Sequence, residues 1–588
     1  MPFMMDFETN TGDIEETRVW GWACVLIDSP DDTYVYGNDI SSWFQMMDNL
    51  SITNETVYFH NAKFDCDFII NFLLSQGWEY KKLAKDCKRK CFTAVISGNG
   101  AFYKMRLYFS KNRYITIIDS LKIIPFKVKV IAQSFGLEET KLKIDYKRIR
   151  EAGYELTPKE IEYMRNDVAI VAKALSVLFS QGMTKNTQAA NAMADYKNMI
   201  GNYWKYYFPE IPDEDPFIRK AYRGGFTYLN DTYKGKTVGE GIVFDVNSLY
   251  PSVMRYELLP YGKPVYFEGR YKASETYPLY VQHFSCVFRI KEGYIPTIQL
   301  KNSMRFAGNE YLKSSGGERV ELYLTNIDLD LFLEHYNVSD IVWIDGYKLR
   351  GTRGMFIEYV DKWMEVKIQA SKDKNYGLRT LSKLNLNALY GRFGLNPITI
   401  NKVCSLDDNG RTVYTNVREK DRRPVYIPVA AFVTAYARRK TITSAQAVYD
   451  RFIYADTDSL HLIGTEIPDN LDIDPVNLGA WKHESSFIRG RYIRQKCYIE
   501  LELRRFRDTI ASKMKENHGC KLMKRYTRFS GVYHPAETKV TVAGLPEECH
   551  KYVTWDNFAV KAKYPGKLIP KHIKGGTVLI ETDFTISD

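Results

Sequence analysis

The sequence predicts a multidomain protein of mixed α/β and α+β class, and three observations point there. At 588 residues the chain has room for roughly three or four folded units. With 45% hydrophobic and 26% charged residues it can bury cores and solvate a surface, which excludes a disordered or fibrous chain. Its first 180 residues or so alternate apolar strand-like runs with helical stretches, whereas the remainder carries charged helical patterns and β-biased segments with no internal repeat.

Taken in order, residues 18–26, 56–60 and 114–118 read as strands, and residues 65–74 and 158–179 as helices. The polar stretch 181–187, with Gly182, sets a boundary near residue 185. Residues 262–355 are rich in Tyr, Gly and Pro and read as an inserted module with a strand at 281–290 and a helix at 328–335. Two charged helices follow over 355–391, joined around 372–377, and Asp408-Asn409-Gly410 supplies a hairpin turn. The C-terminal sixty or so residues are basic and β-biased, with turns at Gly531, Gly566 and Gly575-Gly576.

The apolar stretch 425–437 is shorter than the roughly 18 residues of a membrane span and is interrupted by Pro428, so no membrane partner is expected. The opening from Met1 to Asp6 lacks the basic region of a secretory signal, and the expectation is a cytoplasmic protein. Nine scattered cysteines fit inert thiols in a reducing compartment. Cys87/Cys91, His518/Cys520 and Cys549/His550 each look like half a zinc site, but no second half stands at finger-like spacing, so zinc is rejected. The net charge of +11 favours an anionic partner, and the 43 tyrosines, often beside Lys or Arg, suit base stacking along a phosphate backbone.

Two sets of carboxylates carry the chemistry. Asp6 and Glu8 share a face of an extended segment, Asn61 and Asp65 lie where a strand passes into a helix, and Tyr163 and Asp167 are neighbours on one helical face. Oxygen-rich sites of this kind suit magnesium or manganese in phosphodiester hydrolysis, with a phenol to orient water. Any one of these pairs alone reads as scattered surface acids; it is all three segments in this order that fit a known pattern. The second set is Asp245, at the end of an apolar strand, with Asp456 and Asp458 in an apolar strand run over 452–460. Acids within such strands call for a cation or an ion pair, although Asp456 to Ser459 could also be a plain turn. Lys383, Asn387 and Tyr390 fall on one helical stripe, Thr434 and Arg438 form an i, i+4 pair, and Lys496 and Tyr498 share a strand face. The stripe also reads as a solvated helix face capped by Gly391.

In this order the motifs resemble the family B DNA polymerases, and within them the protein-primed bacteriophage group, phi-29-like. Asp6-Phe7-Glu8, Asn61 to Asp65 and Tyr163 to Asp167 are similar to the three motifs of a 3'-5' proofreading exonuclease, with Ser120-Leu121 and Lys141 similar to its auxiliary positions. Tyr222-Arg223-Gly224-Gly225 resembles the motif linking the two activities. The segments at Asp245 to Pro251, Lys383 to Gly391 and Tyr454 to Ser459 resemble polymerase motifs A, B and C. Thr434 to Arg438 and Lys496 to Tyr498 resemble the primer-template motifs.

The resemblance implies a ribonuclease-H-like exonuclease domain (1–185) followed by a right-hand polymerase. The palm would occupy 186–261 and 423–525, the fingers 356–395 and the thumb 526–588, with insertions resembling terminal-protein regions at 262–355 and 396–422. The first insertion would hold a priming protein and the second would encircle DNA. It further implies two Mg2+ (or Mn2+) ions per active site, held by Asp245, Val246 and Asp458 in synthesis and by Asp6, Glu8, Asp65 and Asp167 in trimming. Asp456, Tyr163 and Lys141 would join these as catalytic groups. Substrate contacts would fall to Tyr250, Lys383, Asn387, Tyr390, Asn61, Phe64, Ser120, Leu121, Tyr222, Gly224, Gly225, Thr434, Arg438, Lys496 and Tyr498. Partners would be template and primer DNA, deoxynucleoside triphosphates and a terminal protein, with the enzyme a monomer in an infected bacterium. Ala388, where the family commonly has serine, and Cys66-Asp67, where it has smaller residues, depart from the pattern. A nucleic-acid-primed polymerase, a nuclease alone and a DNA-binding scaffold are the alternatives.

Overall fold

The apolar runs near the N-terminus form the middle of a mixed sheet, because strands covered on both faces need few polar residues. A computed structural model describes residues 1–12, 14–146, 148–299, 311–502 and 537–587. Gly531, His518 and Cys520 lie outside the described residues.

From one edge the first sheet runs Val35–Gly37, Val19–Leu26, Pro2–Thr9, Thr56–Phe59, Arg113–Asp119, Phe102–Ser110, Cys91–Ile96 and Glu79–Tyr80. Pro2–Thr9 and Thr56–Phe59 are parallel, as are Thr56–Phe59 and Arg113–Asp119, so the strand with Asp6 and Glu8 and the strand ending in Asp119 flank the one that leads to Asp65. Helix Asp65–Ser75 buries Phe68, Ile69, Ile70 and Leu73 in a core with Trp43, Met47 and Phe59. Helix Pro158–Ser180 begins at a capping box in which Thr157 and Glu160 satisfy each other's backbone N–H groups, with proline in its first turn. Both helices match the predicted spans to within a residue.

The chain divides into two compact units. The first comprises Met1–Trp204, Glu358–Val425 and Leu568–Thr582, and the second Lys205–Ile357, Tyr426–Lys567 and Asp583–Asp588. The helices Ile357–Lys372 and Tyr376–Phe393 appear where the charged pattern placed them, the second capped by Asn375, whose side chain accepts from Leu378 N at 3.0 Å. The Asp-Asn-Gly turn joins Ile400–Leu406 to Thr412–Arg418, with Gly410 at φ +71°.

The second unit is built on an antiparallel sheet in the order Glu537–Val542, Cys497–Glu502, Trp481–Arg494, Gly241–Val246, Ser459–Ile463, Phe452–Asp456 and Thr227–Leu229. The module expected over 262–355 is a separate sheet of Leu259–Glu268, Tyr336–Thr352, Leu279–Ile290 and Val320–Thr325 with helix Asn326–His335 packed on it. The terminal stretch expected as one module over 526–588 divides, since Glu537–Val542 extends the second unit's sheet while residues 568–582 belong to the first unit.

Asp67, which had no assigned role, has a structural one. It is 2% exposed and accepts from Tyr414 OH at 2.5 Å and Thr577 Oγ1 at 2.5 Å, with His572 Nδ1 at 3.2 Å. One carboxylate thereby fastens the 400–418 hairpin and the 568–582 segment to helix Asp65–Ser75. Replacing it leaves hydroxyls buried without an acceptor, so Asp67→Ala is expected to cost about 2–4 kcal/mol in denaturant unfolding. Amide exchange should quicken in both tethered segments, and unchanged exchange would show the tether to be incidental.

Candidate active sites

The first acidic cluster collects what the sheet and two helices deliver. Asp6 and Glu8 project from Pro2–Thr9, opposite Ala23 and Gly21 of the neighbouring strand. Gly21 leaves room there, since a Cβ would come within 2.9 Å of Met164 Sδ on helix Pro158–Ser180. That helix brings Asp167, and among the described residues Asp6, Glu8 and Asp167 offer oxygens all within 4.8 Å of one another. Asp65 opens its helix and accepts from Phe7 N at 3.2 Å.

These acids repel one another in a dry site. Burial, with the Asp167 charge next, pushes Asp6 up to about 7. Burial and the neighbouring acids hold Glu8 and Asp65 well above the usual carboxylate range. Asp167 Oδ1 is buried with no hydrogen-bond partner, while Lys141 Nζ donates to Asp167 Oδ2 at 2.8 Å. Burial works against the Lys141 charge, but Asp167 outweighs it and holds the ammonium above its ordinary value. An orphaned carboxylate oxygen among raised acids fits a divalent cation. Burial, reinforced by Glu8 and Asp167, keeps the Tyr163 phenol protonated, and it shares a 2.6 Å hydrogen bond with Tyr146, a partner the motif spacing did not flag.

Asn61, at φ +67°, sits on a turn held by Asp119, whose Oδ1 accepts from Asn61 N at 3.0 Å, Ala62 N at 3.3 Å and Leu121 N at 3.0 Å. Ser120 Oγ donates to Phe59 O and lies 2.9 Å from His60 Nδ1, so Asn61, Ser120 and Leu121 share one turn system. Phe64, partly buried, precedes Asp65 as the helix cap. Asp119 was missed, although an apolar strand ending in aspartate is the signal that singled out Asp245.

In the second unit Asp245 lies opposite Ser459 on one side and Lys482 on the other. The run 452–460 is a hairpin, not one strand: Thr457 takes φ +61° and Asp458 N donates to Asp456 O at 2.7 Å, the turn chemistry that Asp-Thr-Asp-Ser favours. Val246 N donates to Asp458 O at 2.8 Å, so the turn is clamped to the end of the Asp245 strand. Burial, then the nearby Asp245 charge, pushes Asp458 up to about 6, the mark of two carboxylates gathered without enough compensation. Asp456 faces otherwise: Lys496 Nζ donates to its two oxygens at 2.8 and 2.6 Å, Thr227 Oγ1 at 3.1 Å and Tyr454 OH at 3.3 Å.

The linker motif packs on this turn. A Cβ at Gly225 would lie 2.6 Å from Thr457 Oγ1 and 3.0 Å from Tyr250 OH, so only glycine fits, and Thr457 N donates to Phe226 O at 2.6 Å. Gly224 O and Arg223 O accept from Arg438 at 2.7 and 2.9 Å, and Tyr222, partly buried, precedes them. Arg438 is 2% exposed and also paired with Asp328, and Thr434 is bonded to Ala430 O and Ala431 O. Their shared helix face is therefore turned inward, and neither presents a polar group for direct substrate contact. Lys496, at φ +52°, stands on a hairpin turn and Tyr498 is buried beside Tyr454 and Tyr492, so the two do not share a strand face. Lys383 and Asn387 are exposed and Tyr390 partly so, giving the expected stripe, but Gly391 is inside a helix that runs on to Phe393.

The profile of the family described as DNA polymerase type B, organellar and viral, matches residues 46–153 and 143–474. The DNA polymerase of Bacillus phage Nf is 43% identical over 99% of both chains, and that of Streptococcus phage Cp-1 is 32% identical over 99% of this chain and 98% of its own. The chain belongs to the type B DNA polymerases. A solved structure of phi29 DNA polymerase complexed with primer-template DNA is 40% identical, covers 100% of both chains and superposes with a TM-score of 0.90. Another, with primer-template DNA and incoming nucleotides, gives 0.89 at the same identity and coverage. As in that group, the polymerase has a mixed α/β fold with exonuclease-like and palm-like sheets, and no helix among its described residues is long and apolar enough to cross a membrane.

Two outcomes follow from this geometry. Between 3.8 and about 7, Asp6 is ionised in the unfolded chain but still protonated in the ion-free fold, so its contribution erodes stability as pH rises through that window. In chelator, Asp6→Asn should therefore gain thermal stability relative to wild type from pH 4 to 7, and an unchanged difference would place Asp6 outside a repulsive cluster. Gly225→Ala must displace Thr457 or Tyr250, and primer extension should fall on the order of a hundredfold in steady-state kinetics.

Proposed function

We propose that this polymerase extends a primer strand on a DNA template with deoxynucleoside triphosphates at the Asp245–Asp458 cluster and trims 3' ends at the Asp6–Glu8–Asp65–Asp167 cluster. The reading extends to replication of a phage genome from a protein-held primer with strand displacement, in the cytoplasm of a bacterial host. The observation that carries it is the presence of two separate carboxylate clusters, each with acids raised by burial and mutual repulsion. The relatives solved with primer-template DNA and with incoming nucleotides support the choice of substrates.

Two Mg2+ or Mn2+ ions per site would activate the attacking oxygen and offset charge on the phosphate, held by Asp245, Val246 and Asp458 for synthesis and by Asp6, Glu8, Asp65 and Asp167 for trimming. In synthesis Lys383 adds positive charge against the triphosphate, with Asn387 beside it, and Tyr390 lines the base. Tyr250 lies under the sugar, where its ring excludes a 2'-hydroxyl. Asp456 acts at one remove, fixing Lys496 and the hairpin that carries Asp458. The linker from Tyr222 to Gly225 holds Tyr250 and Thr457 in register, and Arg438 holds the linker. In trimming, Tyr163 orients the water, Lys141 steadies Asp167, and the Asn61, Phe64, Ser120 and Leu121 turn system receives the strand end.

The domain limits implied by the resemblance belong to this reading, with residues 262–355 and 396–422 as its insertions, except for the terminal stretch, which is divided between the two units. Protein priming is tested by whether the enzyme joins a deoxynucleotide to the hydroxyl of a candidate terminal protein.

Asp245→Ala is expected to reduce extension at least about a thousandfold while 3'-end degradation continues. Asp6→Ala with Asp65→Ala should do the reverse. Equal loss of both activities in folded protein would contradict separate sites.

A further inference from the structure

The antiparallel register around Asp245 contains an irregularity with a chemical consequence. Val243 pairs with Ser485, but Phe244 pairs with His483 and Asp245 with Lys482, so Glu484 is an extra residue in its strand. Without this bulge the residue opposite Asp245 would be His483. With it, the residue opposite is a lysine, whose Nζ lies 3.1 Å from Asp245 Oδ2. Bulges beside active sites commonly re-aim a side chain in this way. The buried Trp481 next to it, bonded through Nε1 to Ser444 Oγ at 3.1 Å, anchors the strand from which the lysine reaches out.

We propose that Lys482 is a built-in counter-cation of the synthesis site, a positioning residue that holds Asp245 while the site is free of metal and competes with the divalent ion for that carboxylate. The inference rests on the reading that Asp245 holds the ion. An ammonium 3.1 Å from Oδ2 and a dication on the same carboxylate repel each other, so one must withdraw. Lysine suits this duty: its charge is compact and carried on a flexible stem, whereas an arginine would grip the carboxylate with a planar fork. The side chains of Lys482 and Asp245 are 37% and 23% exposed, so the ammonium has solvent to retreat into and the competition is moderate.

The test is Mn2+ binding to the full chain, read as loss of the free-ion electron paramagnetic resonance signal, with Asp6→Ala and Asp65→Ala in every protein to remove the other cluster. Lys482→Ala and the polar Lys482→Gln should each bind the synthesis-site ion about two- to fivefold more tightly, the size expected of one partly exposed charge pair. Lys482→Arg should bind it no more tightly than the parent. Unchanged or weaker binding in both neutral variants would overturn the proposal while leaving the synthesis site standing. Asp245→Asn separates the two failures: if it leaves the number and affinity of bound Mn2+ unchanged, the site assignment fails, and the role of Lys482 fails with it.

Discussion

Like charges are gathered here at the ends of apolar strands, and that arrangement is costly in the absence of a counter-ion. Asp6 at about 7 and Asp458 at about 6 are carboxyls that the fold presses into partly or fully dry positions beside other acids. A chain does not hold such groups together for stability, since each repulsion subtracts from a small net folding free energy. The rest of each unit supplies what is needed to keep them there: parallel strands that bring segments distant in sequence side by side, a capped helix that delivers Asp167, and a hairpin turn tied by backbone hydrogen bonds to the Asp245 strand.

Around both clusters runs a second layer of polar contacts. Asp119 fixes the Asn61 turn, Asp67 fastens two hairpins to the helix of Asp65, and Arg438 joins Asp328 to the carbonyls of the linker motif. Asp67 and Arg438 are buried charges whose bonding capacity is largely filled, the condition under which burying them is tolerated and their geometry becomes rigid, whereas Asp119 uses Oδ1 for three backbone N–H groups and its buried Oδ2 has no hydrogen-bond partner. The sites thus sit on rigid elements, and the close approach of Gly225 to Thr457 and Tyr250 transmits the linker's position to the turn that bears Asp458.

Much of this was legible in the sequence because it depends on local pattern. The helices at Asp65–Ser75 and Pro158–Ser180, the helix pair over 357–393 and the 400–418 hairpin follow from periodicity, caps and turn residues. Asp245 was legible as an acid at the end of an apolar strand, and Asp6 with Glu8 and Tyr163 with Asp167 by their spacing, whereas Asp119 ends an apolar strand in the same way as Asp245 and was missed. What was not legible depends on which face meets another element. Thr434 and Arg438 have the spacing of an exposed polar pair, yet their helix face is covered, and only the partner Asp328, distant in sequence, explains it. Lys496 looks like a strand residue but occupies a positive-φ turn aimed at Asp456. The bulge at Glu484, which brings Lys482 opposite Asp245, leaves no trace in hydrophobic pattern, because register is a property of two strands and not of one.

Crystals of the protein soaked in Mn2+ and measured at the manganese absorption edge would locate the cations without reference to turnover. Anomalous density is expected between the Asp245 and Asp458 carboxylates and again among Asp6, Glu8 and Asp167. Density confined to other surface acids, with the Asp245–Asp458 cluster vacant at saturating Mn2+, would contradict the idea that gathered carboxylates are held for a divalent ion.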